Sequence, residues 1–159
     1  ANTWPSNSIA QSVQETMGRA GVKVEIVPGE QKQVITKYRA RNHEMVLLYW
    51  GPDYLDPHSN ADTFARNPDN SDDAATKPLA WRNAWDIPEL TKETDAAARE
   101  LDTEKRRQMY LDLQRKIQED SPFIVMFQST TPEARRKNVT GFVSGPSFDI
   151  IYYRLVTKS

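Results

Sequence analysis

Six consecutive apolar residues, MVLLYW at positions 45–50, place the tightest limit on what this chain can fold into. The run is too short for a buried helix and no polar residue breaks it, so it reads as an interior strand covered on both faces. Upstream, Val22, Val24 and Ile26 alternate with Lys23 and Glu25, the period of a strand with one wet face, and Pro28-Gly29 ends it. Between the two lies an amphipathic helix carrying Val34, Ile35 and Tyr38. Strand, helix and strand over so short a span imply a right-handed parallel crossover. The front of the chain is therefore expected to be α/β, with helices flanking a mixed sheet.

The remaining elements follow from period and punctuation. Ser6 or Asn7 can cap a first helix whose apolar residues Ile9, Val13 and Met17 recur every fourth position, with Gly21 as its stop. Residues 51–86 lose periodicity and fill with Pro, Asn, Asp, Ser and Ala, apart from one short helical turn near residues 61–65. Long aperiodic stretches in compact domains carry function or are disordered, and Trp81 and Trp85 argue that this one is packed. Pro88 suits the first turn of a helix with Leu90, Thr94, Ala97 and Leu101 inward, and Asp102 or Thr103 starts another with Tyr110, Leu113 and Ile117. Residues 123–127 form a further apolar run expected to be a buried strand, while 139–143 and 150–156 are weaker strand candidates.

Composition excludes several classes of function. With 159 residues and no cysteine, the chain is one domain without disulfides, thiolate chemistry or cysteine-held metals. Its 21 basic and 22 acidic residues leave a net charge of -1, which offers nucleic acid no global footprint. Arg135 to Lys137 reads as a solvated surface. The Asp69 to Asp73 stretch resembles a calcium loop in composition but lacks its glycine and terminal glutamate.

The densest polar constellation is WGPDYLDPH, residues 50–58, which emerges from the end of the most apolar run. In open α/β sheets ligands gather beyond the carboxyl ends of strands. Asp53 follows a Gly-Pro turn and is flanked by Trp50 and Tyr54, an arrangement suited to capturing a cation between aromatic walls. Asp56 precedes Pro57 as ordinary turn chemistry does, and His58 reads as solvated. An alternative makes Asp53 and Asp56 the acid and base of a hydrolase, with His58 beside them or as part of a metal site.

These residues, with AGVKVEI and the apolar run before them, resemble the C-terminal lobe of the peptide-binding family of ABC-transporter solute-binding proteins, the bacterial extracellular family 5. WDIPELTKETDAAARELDTEKRRQMYLDLQRKIQEDSPFIVMF is similar to the family segment in which a Pro and an acidic helix precede Asp-x-x-x-Arg-x-x-x-Tyr, here Asp102, Arg106 and Tyr110, with Gln114 and Pro122 after them. NVTGF, residues 138–142, matches the family's closing turn. The usual acidic residue shortly after that Pro is missing, since Pro88-Glu89-Leu90 leads to Thr91.

The resemblance implies a periplasmic-binding-protein-like lobe of type II, truncated, in which residues 1–159 are the C-terminal lobe and the first lobe is absent. It implies a binding module with no catalytic residue, metal or cofactor: the substrate-binding component of an ABC importer, periplasmic or tethered outside the cell, delivering a di- or oligopeptide or another amine-bearing solute to permease subunits in the membrane. Asp53 then corresponds to the position that pairs with the ligand's α-ammonium. Trp50, Tyr54, Trp81, Arg82 and Asn83 are the further candidate ligand contacts. An exposed lobe surface would let copies of the fragment dimerise.

Overall fold

The computed structural model describes residues 5–128, 130, 132–145 and 151–159. They form two units, residues 1–50 with 82–84, and residues 51–81 with 85–159.

In the first unit, helix α1 runs Ser6–Arg19 and starts from Pro5, without the side-chain cap expected of Ser6 or Asn7. Ile9, Val13 and Met17 are its half-buried face, as their spacing predicts. Its end is a six-residue cap: the Val22 amide donates to the Met17 carbonyl at 2.9 Å, and Gly21 supplies the left-handed residue at φ 84°. Gln14 Nε2 donates to the Val24 carbonyl at 2.8 Å, tying the following segment back to the helix.

Helix α2, Gln31–Arg39, ends in the same kind of cap, with the Asn42 amide on the Lys37 carbonyl at 3.0 Å. Here the left-handed position is Arg41, at φ 55°. Tyr38, 5% exposed, is the buried residue of this helix. Its hydroxyl accepts from Asn83 Nδ2 at 2.9 Å, His43 meets its ring edge-on at 5.0 Å, and the Arg82 guanidinium lies 5.6 Å from its centroid.

In the second unit, α3 (Pro57–Phe64), α5 (Pro88–Arg99) and α6 (Thr103–Glu119) pack together, and α4 (Leu79–Arg82) begins in this unit. Their shared core is Ala61, Ala97, Tyr110 and Leu113, lined by Leu90 and Met109. Pro88 opens α5 at its first turn and Glu89 follows it, where an acidic side chain meets the positive end of the helix. Asp102 caps α6 by accepting from the Lys105 amide at 2.8 Å. Because Glu100 leaves the helical conformation, Leu101 departs from the predicted inner face and is 95% exposed.

Two threonines of α5 sew down the chain that follows α3. Thr94, fully buried, donates from Oγ1 to the Ala65 carbonyl at 2.9 Å. Thr91, which stands where the family resemblance leads one to expect acidity nearby, accepts the Asn67 amide on its hydroxyl at 2.9 Å. Buried Asn67 in turn donates from Nδ2 to the Trp85 carbonyl at 2.8 Å. Replacing Thr94 by valine keeps the volume and removes the donor, so it is expected to cost about 1–3 kcal/mol, read as a lower urea midpoint with unchanged slope.

The apolar runs do not form the expected sheet. Residues 22–26, 45–50 and 123–127 carry no strand ladder among the described residues, and the parallel crossover is therefore absent there. A strand exists through its neighbour's hydrogen bonds, and an apolar run without one has the composition of a strand but not its pairing. Phe123 does pack, edge-on to Phe64 at 5.0 Å and to Trp85 at 6.1 Å. Ile124, Val125 and Phe127 beyond it are exposed.

The sheet that is present is a two-stranded antiparallel pair, β1 (Val139–Thr140) with β2 (Thr157–Lys158). Thr140 and Thr157 share a hydroxyl hydrogen bond of 2.9 Å across it. Gly141 adopts φ 73°, and a Cβ there would stand 1.8 Å from the Leu155 carbonyl oxygen, so no other residue fits. Of the strand predicted at 150–156, residue 150 lies outside the described residues, and Tyr153–Leu155 is a 3-10 turn.

Candidate functional site

Pro57 has no amide hydrogen to lose and a preset φ, so Asp56-Pro57 starts α3, with Asp56 as cap and Pro57 at the first position. The Asp56 carboxylate accepts the His58 amide at 2.7 Å. The same carboxylate takes both terminal nitrogens of Arg106, Nη1 at 3.0 Å and Nη2 at 2.8 Å, the parallel two-bond geometry that makes arginine the strong partner. Arg106 Nη2 also donates to the Tyr110 hydroxyl at 3.3 Å, and its guanidinium lies 4.8 Å from that ring. The i, i+4 spacing of Asp102, Arg106 and Tyr110 along α6 is thus a capping residue, a clamp on the loop and a buried support.

This network settles the protonation of Asp56. The Arg106 hydrogen bonds hold its carboxyl below the usual carboxylate range, against a smaller opposing effect of burial, and the His58 amide adds to the lowering. The same pair raises Arg106, while burial pushes the Tyr110 phenol up. A general acid needs the opposite shift. Asp56 is a structural anion, its carboxylate occupied by Arg106 and the His58 amide and so not available as the acid of an Asp53/Asp56 pair. Among the described residues no group of three or more metal-binding side chains comes together.

Asp53 sits three residues earlier in a different situation. It is exposed, and among the described residues its carboxylate has no hydrogen-bond donor. Its amide donates to Ser59 Oγ at 3.0 Å. Tyr54 beside it is 48% exposed. His58 is half-buried rather than solvated: its ring stands 6.3 Å from that of Tyr110, and Nδ1 is buried without a hydrogen-bond partner among the described residues.

The other candidates fall elsewhere. Trp81, 4% exposed, spends its indole N–H on the Ser71 carbonyl at 2.8 Å and carries Lys77 over its ring at 4.5 Å, so it anchors the long loop. Trp50, Arg82 and Asn83 belong to the first unit, where Arg82 and Asn83 gather around Tyr38. Burial lowers the Arg82 pKa from its ordinary value. Of the six candidates, the structure brings Asp53 and Tyr54 together on one loop. Arg106 and Ser59 were not among them. Arg106 could have been found from its motif spacing, whereas nothing in the sequence marks Ser59.

Comparison with known proteins bears on what this loop belongs to. Residues 1–72 match the model of the bacterial extracellular solute-binding proteins, family 5 Middle. Similar curated proteins are the di/tripeptide-binding protein 2 of Pseudomonas aeruginosa UCBPP-PA14, 26% identical over 138 residues, and the dipeptide-binding protein of Pseudomonas aeruginosa PAO1, 26% identical over 150. The dipeptide-binding protein of Escherichia coli K12 is 23% identical over 138 residues. In its first 72 residues the chain is similar to the family 5 bacterial extracellular solute-binding proteins.

The alignments take in 87%, 94% and 87% of this chain but 25%, 27% and 25% of those relatives, so the chain spans about a quarter of their length. No solved structure matches it. Family 5 implies a type II periplasmic-binding fold; the described residues of this chain are helix-rich with a two-stranded sheet, compatible with a truncated piece of one. Among the described residues no helix is long and apolar enough to cross a membrane.

Proposed function

We propose that this chain is the C-terminal lobe of a two-lobe receptor that captures a peptide-like or amine-bearing solute and hands it to ABC permease subunits. The receptor works in the periplasm, or tethered outside the cell, and makes or breaks no bond. The observation that carries this reading is the contrast between two carboxylates on one loop: Asp56 is consumed by Arg106 and His58, while Asp53 stands exposed on a pinned backbone. The names of the relatives supply the ligand class, and Asp53 supplies a partner for its ammonium. Tyr54 beside it is the further contact on this loop, with Trp81 holding the loop.

An ion pair left in water is worth little, about 0–1 kcal/mol. Lobe closure over the solute removes that water, and a charge-assisted hydrogen bond to an ammonium then contributes about 1.5–3 kcal/mol. In the complete receptor, Asp53→Ala is therefore expected to weaken binding of trialanine by roughly 10- to 150-fold in calorimetry. An unchanged affinity would remove Asp53 from the site.

A further inference from the structure

The arch that presents Asp53 is held from behind by groups that a solute would not touch. Pro52 has no amide hydrogen, so the Asp53 amide is the first donor of the arch. It is spent on Ser59 Oγ at 3.0 Å, and Ser59 is 4% exposed on the first turn of α3. Next, the Asp56 amide donates to the Tyr54 carbonyl at 2.9 Å, closing a tight turn around Leu55. The far foot of the arch is the Asp56 carboxylate, clamped by Arg106 and the His58 amide. One foot is thus a two-bond ion pair, and the other is a single buried hydroxyl.

We propose that Ser59 is a positioning residue for ligand capture, its hydroxyl fixing the Asp53 backbone and with it the place where the carboxylate stands. The proposal rests on the reading that Asp53 receives the ligand's ammonium. A carboxylate fixed before the ligand arrives loses less freedom on binding than one on a loose loop, and a displacement of about 1 Å is enough to degrade a directed interaction. At this end the Asp53 carboxylate itself is untethered among the described residues, and the Asp56 clamp acts three residues away. Alanine at position 59 removes the hydroxyl while favouring the helix, so the substitution loosens the arch without unseating α3.

The experiment is calorimetry on the complete receptor with trialanine and with N-acetyltrialanine, which has no ammonium. Ser59→Ala is expected to weaken trialanine roughly five- to tenfold, the size of one neutral hydrogen bond, and to leave the weaker affinity for the acetylated peptide unchanged. In an Asp53→Ala background it should cost nothing further. Loss on both peptides alike would make Ser59 a purely structural residue and overturn the proposal. If Asp53→Ala weakens trialanine and Ser59→Ala does not, positioning is overturned while the amine reading stands. If Asp53→Ala has no effect, or neither peptide binds the unsubstituted receptor, both fall.

Discussion

Leu113→Ala should cost the helical unit about 2–5 kcal/mol, the usual range for a leucine cut back to alanine in a packed core. Leu113 is 2% exposed and shares its cluster with Ala61, Ala97 and Tyr110. Two of those neighbours are alanines, too short to swing into the space vacated, so the cavity stays open and the loss falls toward the upper part of the range. A domain has about 5–15 kcal/mol in all, and the urea midpoint should move accordingly. Leu101→Ala is the matched control. Its side chain is 95% exposed, and the midpoint should stay where it was; a shift as large as that of Leu113 would mean that α5 continues past Arg99 and buries it.

The second large effect concerns the clamp. Arg106→Met and Asp56→Ala should each destabilise the unit, and Asp56→Ala by more, because it also removes the cap of α3, worth about 1 kcal/mol by itself. The Arg106 and Asp56 side chains are 26% and 33% exposed, so the pair lies between an open surface bridge, about 0.2–1 kcal/mol, and a buried one whose breakage costs about 3–5 kcal/mol. A double-mutant cycle is expected to return a coupling of about 1–3 kcal/mol near neutral pH. Its pH dependence has a definite sign. The folded pKa of Asp56 is lowered, so the stabilisation is complete above the unfolded value of about 3.9 and is lost as the pH falls through the folded one. A coupling that persisted well below that range would show that the carboxylate is not what Arg106 holds.

How much of this could be read from the residues depends on whether the signal was local. The helix at Thr103–Glu119 was, because its cap, its period and its buried Tyr110 and Leu113 all lie within one segment. Asp56-Pro57 was legible as a local device and underestimated in extent: a pair read as a turn is the start of an eight-residue helix. The four-residue helix Leu79–Arg82 was missed, since nothing within it announces the bond from Trp81 to Ser71 that holds it in place. The strands were misjudged for the opposite reason. Residues 45–50 and 123–127 have strand composition, but pairing is a property of two segments and one segment cannot report it. Asp53 was visible as a loop carboxylate and Arg106 as a motif residue, while the bond from Arg106 to Asp56 and the hold of Ser59 on the Asp53 amide emerge only from the folded loop.

Arg41 and Ala84 bend the chain through the left-handed region, at φ 55° and 53°, where α2 and α4 stop. A side chain in that conformation costs about 1–2 kcal/mol; glycine removes that strain, and the greater freedom of its unfolded state offsets part of the gain. Ala84→Gly, which removes only a methyl group, is therefore expected to raise the melting temperature by a few degrees, roughly 0.5–1 kcal/mol. Natural selection has left this scaffold short of its thermal ceiling, and one codon change at Ala84 offers an engineer a sturdier version to work with.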